Sequence, residues 1–105
     1  MNYRKSKYKF EMIRQLAETL KQRIETILDN DPANDDDKLH YAVLAEIKDR
    51  LYVKLIKYQT DYTISFTPAQ AFALRILYTD YINDPTCYLG NKLRALAVEV
   101  HKQFN

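Results

Sequence analysis

The sequence has a single glycine among its 105 residues, one cysteine and no tryptophan. Average usage would give about seven glycines in a chain of this length. Phosphate-binding loops and dinucleotide fingerprints need several glycines, because only glycine lets the backbone turn tightly around a phosphate. Hairpin-rich β folds also depend on glycine, for turns with positive φ angles. The scarcity of glycine therefore excludes phosphate-binding loops and dinucleotide fingerprints, and it argues against a β sandwich or barrel.

The charge and hydropathy of the chain are those of an ordinary globular domain. It is 47% hydrophobic and 29% charged, with a formal net charge of +2. This net charge is too small to indicate a polyanionic partner by itself. No window approaches the ~20 apolar residues that a membrane span requires, and the basic N-terminus lacks the apolar stretch of a secretory signal. We therefore predict one soluble, cytoplasmic domain over residues 1–105, with no membrane contact.

Apolar residues recur at helical spacing in four segments of the chain. In the first segment they follow one another at intervals of three and four positions, at Phe10, Ile13, Ala17, Leu20, Ile24 and Ile27. Such intervals keep the side chains on one side of a helix. A second helix of about 22 residues, ~33 Å long, is predicted from within the Asn34-Asp35-Asp36-Asp37 segment to near Tyr58. The first helix is predicted to have a similar length.

Three prolines mark the boundaries of these helices. The first helix ends at Asn30-Asp31-Pro32, because asparagine tolerates the left-handed cap and proline cannot continue the hydrogen-bond ladder. The third begins at Thr67-Pro68-Ala69-Gln70, where a threonine N-cap and a glutamine form a capping box around a proline at the first helical position. It ends at Asn83-Asp84-Pro85, before a fourth amphipathic helix that reaches Phe104. We predict an all-α fold, an antiparallel four-helix bundle of two long and two shorter helices, with residues 1–8 as a flexible basic segment.

Residues 58–66 break the helical pattern. β-branched and aromatic side chains occupy every second position there, at Tyr58, Thr60, Tyr62, Ile64 and Phe66. This alternation is typical of a strand, whose backbone would pair with the N-terminal segment around Tyr8, with another chain or with water. The simpler interpretation, which we favour, is an extended connector that inserts its apolar side chains into the bundle.

The unequal helix lengths indicate an interaction function. A lopsided bundle leaves part of the apolar stripe on its long helices uncovered, and a second copy of the chain would bury it. The nine tyrosines also suit protein interfaces, because the ring is apolar while the hydroxyl reaches water. The candidate interface residues are Phe10, Ile13, Leu20, Ile24, Tyr41 and Tyr52. We predict a non-enzymatic protein-interaction or oligomerisation module that forms a homo-oligomer such as a dimer or binds another protein.

The basic, aromatic N-terminus favours an alternative function. Residues 3–10 interleave four cations with three aromatic rings and contain no acid. Cations neutralise phosphates while aromatic rings stack on unpaired bases, so this composition suits single-stranded nucleic acid. A basic face of the second helix would extend the patch. The residues of this accessory nucleic-acid-binding surface would be Arg4, Lys5, Lys7, Lys9, Arg50, Lys54 and Lys57.

The sequence gives little support for catalysis or for a bound cofactor. Five aspartates crowd residues 29–37, but no EF-hand register fits, because Asn34 or Asp36 then occupies the glycine position. Cys87 has no partner for an internal disulfide and too few ligands for a zinc site. Arg75 lies within an apolar helix, where a structural ion pair would explain it. We therefore predict that the chain is not an enzyme and has no catalytic, cofactor-binding or metal-binding residues.

Overall fold

The structure is a computed structural model that describes residues 7–81 and 88–104. This part of the chain contains two strands and four helices. In chain order they are β1 (Tyr8–Ile13), α1 (Arg14–Leu28), α2 (Asp35–Ile56), β2 (Asp61–Phe66), α3 (Pro68–Tyr81) and α4 (Tyr88–Phe104). Helices dominate, and the two strands form one antiparallel sheet.

The prediction of an all-α antiparallel four-helix bundle is wrong. Four helices form, but β1 pairs with β2, and the helices pack in two pairs, α1 with α2 and α3 with α4. The chain divides accordingly into two compact units, Glu11–Tyr62 and the combination of Met1–Phe10 with Thr63–Asn105. The predicted division into two long and two shorter helices is also wrong. α2 has 22 residues, whereas α1, α3 and α4 have 15, 14 and 17.

α1 is shorter than predicted because the chain before Arg14 is a strand. Tyr8, Phe10 and Met12 are buried and alternate with exposed residues, so this segment follows a period of two. Phe10 and Ile13 are three positions apart and therefore also fit the helical period, which misled the prediction. Ile13 is the N-cap of α1 and provides no side-chain hydrogen bond. The boundary between strand and helix thus carries no capping signal in the sequence.

Residues 61–66 form a strand, so the connector that we favoured for residues 58–66 is wrong. The alternative partner, the N-terminal segment around Tyr8, is confirmed by the pairing of β1 with β2. At one end of the ribbon the Arg14 N–H donates to the carbonyl of Thr60 at 3.1 Å. β2 buries alternate side chains, and a backbone beside buried side chains needs hydrogen-bond partners that a free connector lacks.

One compact unit combines Met1–Phe10 with Thr63–Asn105 and contains α3 and α4. Thr67 Oγ1 accepts from the Gln70 N–H, and Gln70 Oε1 accepts from the Thr67 N–H, both at 3.2 Å. The predicted capping box is therefore confirmed. Large side chains in the core of this unit are Phe66, Leu74, Leu77 and Leu93. The predicted end of the third helix, at Asn83-Asp84-Pro85, lies outside the described residues.

The other compact unit, Glu11–Tyr62, packs α1 against α2. Its fully buried side chains are Leu20, Ile24, Leu44, Ile47 and Leu51. α2 begins where the sequence predicts, because Asn34 Oδ1 accepts from the Asp37 N–H at 2.8 Å. Three aspartates in the first turn place negative charge at the positive end of the helix dipole. α2 ends at Ile56, two residues before the predicted boundary at Tyr58.

Candidate interaction surface

The last turns of α2 carry a cluster of exposed apolar side chains. Tyr52, Val53 and Ile56 are 59%, 65% and 70% exposed, and Tyr58, just beyond the helix, is 76% exposed. Tyr52 and Val53 lie four and three residues before Ile56, so all three are neighbours on one side of the helix. We call these four residues the α2 patch. Contiguous exposed apolar side chains of this kind mark interaction sites more often than scattered ones do.

The opposite side of α2 forms the core of the same unit. Leu44, Ile47 and Leu51 are fully buried there, at helical intervals of three and four. A helix on the surface of a globular unit normally has an apolar face towards the core and a polar face towards water. The C-terminal half of α2 is apolar on both sides, so core packing accounts for only one of its two apolar faces.

An open groove of about 530 Å³ adjoins the α2 patch. It is lined by Gln15, Glu18, Thr19, Lys21 and Gln22 of α1 and by Tyr52, Leu55 and Ile56 of α2. Two residues of the α2 patch, Tyr52 and Ile56, therefore form one wall, while polar side chains of α1 form the other. An apolar wall facing a polar one fits an amphipathic segment, which places unlike side chains on its two sides.

Cations of α1 make cation–π contacts with the aromatic rings of the α2 patch. The guanidinium carbon of Arg14 lies 4.8 Å from the ring centroid of Tyr58, and Lys21 Nζ lies 5.9 Å from that of Tyr52. Each contact is worth roughly 0.5–1 kcal/mol at an exposed site. The same cations pair with acids of α1, Arg14 with Glu18 at 3.3 Å and Lys21 with an acid four residues later at 2.9 Å. The rings are thus oriented before any partner binds.

A hydrogen-bond cluster fixes the chain where α2 ends. The buried hydroxyl of Tyr62 donates to the carbonyl of Lys57 at 2.8 Å and accepts from the N–H of Gln59 at 2.9 Å. The Arg14 guanidinium donates to the same hydroxyl, and its second nitrogen lies 3.4 Å from the carbonyl of Leu55. These bonds join α1, the end of α2 and β2. They hold the backbone that carries Tyr58 at the edge of the α2 patch.

Basic side chains flank the α2 patch. Lys57 is exposed and lies four residues after Val53, and the exposed Lys54 lies three residues before Lys57, so both lysines border the patch on its Val53 side. Within the described residues neither of them forms an ion pair, whereas Arg14 and Lys21 do. This border of the patch is therefore basic. A partner that places carboxylates around an apolar centre complements this arrangement.

The predicted interface residues divide into two groups. Phe10, Leu20 and Ile24 are at most 5% exposed and pack inside the chain, so their side chains are not available at its surface. Tyr52 is 59% exposed and Ile13 41%, while Tyr41 is half-buried. Tyr52 was named as a candidate interface residue and Tyr58 was included only among the tyrosines in general, whereas Val53 and Ile56 were not named. The signal for Val53 and Ile56 is present in the sequence as a second apolar stripe on α2, outside the stripe that packs against α1.

The described residues of the nucleic-acid alternative belong to both compact units. Arg4 and Lys5 fall outside the described residues. Lys7 and Lys9 are exposed in the unit that begins at Met1, while Lys54 and Lys57 are exposed and Arg50 is half-buried in the unit of α1 and α2. Lys54 and Lys57 thus border the α2 patch. Nucleic-acid binding stays a prediction.

The described residues contain neither a membrane-spanning helix nor a metal-ligand cluster. In ranges 7–81 and 88–104 no helix is long and apolar enough to cross a membrane. Within the same ranges no three His, Cys, Asp or Glu side chains are grouped so that they would hold a metal ion. Arg75 is half-buried, with its guanidinium carbon 5.6 Å from the ring centroid of Phe72. Cys87 lies outside the described residues.

Known proteins add no functional information to this geometry. Comparison of the chain with protein-family models, with curated proteins and with solved structures gives no match.

Proposed function

We propose that the chain is a non-enzymatic protein-interaction module whose contact surface is the α2 patch. The observation that carries the proposal is the clustering of Tyr52, Val53, Ile56 and Tyr58, each at least 59% exposed within seven consecutive positions. Aromatic and aliphatic side chains concentrated in one place are typical of the energetic centre of an interface. The cytoplasm remains the compartment that we propose.

The α2 patch has the size of a binding hot spot rather than of a whole interface. Full burial of an aliphatic or aromatic side chain contributes about 1.5–3 kcal/mol. Val53 and Ile56 are already about one third buried, so a partner would gain roughly 1–2 kcal/mol from each. Association costs at least about 4 kcal/mol in lost freedom. The partner therefore has to contact both tyrosines and the groove beside them as well.

The chemistry of the surface defines the partner that fits it. The apolar centre requires aliphatic or aromatic side chains, and the exposed Lys54 and Lys57 favour carboxylates at the rim. The groove between α1 and α2 accepts one side of an amphipathic helix, which docks through side chains three and four positions apart. We propose an amphipathic helix of another protein, with acidic flanks, as the occupant.

Photocrosslinking from inside the α2 patch tests this function in the native host. Val53 is replaced by benzoylphenylalanine, which is large and apolar like the side chains around it. The matched control carries the same group at Thr26, an exposed position of α1 outside the groove. We expect a discrete crosslinked protein from position 53 and none from position 26, and mass spectrometry of the product identifies the bound segment.

Two results would contradict the proposal. One is the absence of a discrete adduct at position 53 when the labelled chain is folded and present at its normal level. The other is the same adducts from both positions, since that would show contact by collision rather than by binding at the α2 patch. Lys54→Glu combined with Lys57→Glu should reduce the yield of the adduct severalfold, because the acidic flanks of the partner helix would then face glutamates.

A further inference from the structure

The outer edge of β1 is a second surface of interest. Lys7, Lys9, Glu11 and Ile13 are exposed and alternate with the buried Tyr8, Phe10 and Met12. In the described part of the chain the sheet has only two strands, so β1 has one strand neighbour, β2. An edge strand presents backbone N–H and C=O groups to any strand that can align with them. The charges on β1 determine which strand that is.

The pairing with β2 shows which residues of β1 direct their backbone outwards. The hydrogen bond from the Arg14 N–H to the carbonyl of Thr60 places these two residues opposite each other. In an antiparallel ladder, every second residue bonds to the neighbouring strand and the residues between them point away. Counting back from Arg14, Lys9, Glu11 and Ile13 direct their N–H and C=O groups to the free side.

We propose that the free edge of β1 binds β1 of a second copy of this chain, antiparallel, with a two-fold axis at Phe10. The product is a four-stranded sheet in the order β2, β1, β1, β2. Self-pairing of one strand about a two-fold axis is the isologous contact that closes a dimer. The dimer uses a different element and a different observation from the α2 patch, so the two proposals succeed or fail separately.

Charge complementarity selects this register. With the axis at Phe10, Lys9 lies opposite Glu11 of the second copy, and by symmetry the opposite-charge pair forms twice. The axis also places the outward-pointing Lys9 and Glu11 in hydrogen-bonded pairs, as their backbone geometry requires. Cross-strand pairs of opposite charge stabilise a sheet, whereas like charges directly opposite destabilise it.

Neighbouring registers bring like charges together. An axis at Glu11 brings the two Glu11 carboxylates together. An axis at Lys9 pairs Lys7 with Glu11 twice, but it also brings the two Lys9 ammonium groups directly opposite each other. Because side chains alternate between the two faces of the sheet, moving the axis by one residue changes which side chains of the two copies lie opposite each other. Only the axis at Phe10 forms two opposite-charge pairs between Lys9 and Glu11 without a like-charge pair.

The free edge of β2 offers no comparable match. Its six residues, Asp61–Phe66, include one acid and no cation. In every self-paired register of these residues Asp61 faces a neutral side chain or a second carboxylate. No ion pair therefore selects a register on β2. The structure favours β1 as the edge that joins two copies.

Charge reversal in the 105-residue chain tests the dimer. The measurement is sedimentation equilibrium, where a dimer has twice the chain mass of 12.5 kDa. We expect the wild-type chain to dimerise, and Lys9→Glu or Glu11→Lys alone to raise the dissociation constant by on the order of tenfold or more, because two attractive pairs become repulsive. Lys7→Glu makes the same change in net charge as Lys9→Glu. In this register Lys7 faces the uncharged Ile13, so we expect a much smaller change in the dissociation constant.

Mixing the two weakened variants gives the decisive result. Lys9→Glu chains present two acids and Glu11→Lys chains two cations, so both cross-strand pairs in a mixed dimer are again of opposite charge. We expect the mixture to dimerise with an affinity close to wild type, and the double variant K9E/E11K to do the same. A monomeric wild-type chain at millimolar concentration would overturn the proposal. So would single variants that dimerise like wild type, or a mixture no tighter than its two components.

Discussion

The two compact units have a similar construction and different outer surfaces. Each contains a pair of packed helices together with part of each strand. In Glu11–Tyr62 the exposed large apolar residues are Ile13, Leu39, Tyr52, Val53, Ile56 and Tyr58. In the described part of the other unit they are Phe72, at 40%, and Val98, at 49%, on two different helices. Scattered apolar side chains are normal on a protein surface, so the clustered ones at the end of α2 are those that indicate a function.

The helices begin in two different ways, and both ways occur within the unit Glu11–Tyr62. α2 and α3 each start at a side-chain cap, the first from Asn34 and the second from the reciprocal bonds of Thr67 and Gln70. α1 follows directly from β1 and has no side-chain cap at Ile13. Capped starts are visible in a sequence because few residue types form them. The start of α1 is set instead by the pairing of β1 with β2, a long-range contact.

The largest effect we expect comes from comparing the two apolar sides of α2. Leu51→Ala removes a fully buried side chain, and the free energy of unfolding should fall by about 2–5 kcal/mol because a cavity remains. Ile56→Ala removes a side chain that is 70% exposed, and the expected change is about 0.5 kcal/mol or less. Urea unfolding followed by circular dichroism measures both values. Equal losses would show that the α2 patch is part of the core.

A smaller effect should separate two tyrosines of the same unit. Tyr62→Phe deletes the buried hydroxyl that bonds to Lys57 and Gln59, leaving their backbone groups without this partner at a cost of about 1–3 kcal/mol. Tyr58→Phe deletes a hydroxyl from a residue that is 76% exposed, and stability should stay within about 0.5 kcal/mol of wild type. The same urea titrations decide. If both substitutions lower the free energy of unfolding by the same small amount, the hydrogen-bond cluster at the end of α2 does not stabilise the chain there.

The smallest effect of the three concerns the helix caps, one in each unit. Asn34→Ala and Thr67→Ala should each lower stability by about 1 kcal/mol, because an orphan N–H of the first turn loses its acceptor. Thr67→Ser keeps the hydroxyl and serves as the control. Amide hydrogen exchange should show faster exchange confined to the first turn of α2 for one variant and of α3 for the other. A serine variant as damaged as the alanine variant would contradict the capping role of this hydroxyl.

The parts of the fold that the sequence predicts are those with local signals. Apolar spacing located four helices, and the residues around Asn34 and Thr67 located two helix starts, because caps and periodicity act within a few positions. The prediction extended the first helix back to Phe10. Over so short a segment, the apolar positions fit the helical period as well as the strand period of two. Pairing of residues 61–66 with β1 joins positions about 50 apart, which no local pattern encodes.

The candidate site was predicted in part for the same reason. Tyr52 was identified by residue type, since tyrosine suits an interface. Val53 and Ile56 belong to a second apolar stripe on α2, and only the burial of Leu44 and Leu51 on the opposite side shows which stripe is left outside. Phe10, Leu20 and Ile24 were assigned to the interface because a sequence identifies an apolar stripe without showing whether the chain itself covers it.

Hydroxyl-radical footprinting of the tyrosines tests most directly the claim that a partner protein binds the α2 patch. It measures the exposure of the patch both in the isolated chain and inside the native host. In the isolated chain we predict strong labelling of Tyr52 and Tyr58 and protection of Tyr8 and Tyr62, which are 1% and 2% exposed. In the host, Tyr52 and Tyr58 should become protected as the partner covers them, while Tyr8 and Tyr62 stay unchanged. Protection of Tyr52 and Tyr58 in the isolated chain, or equal labelling of them in both settings, would contradict the account.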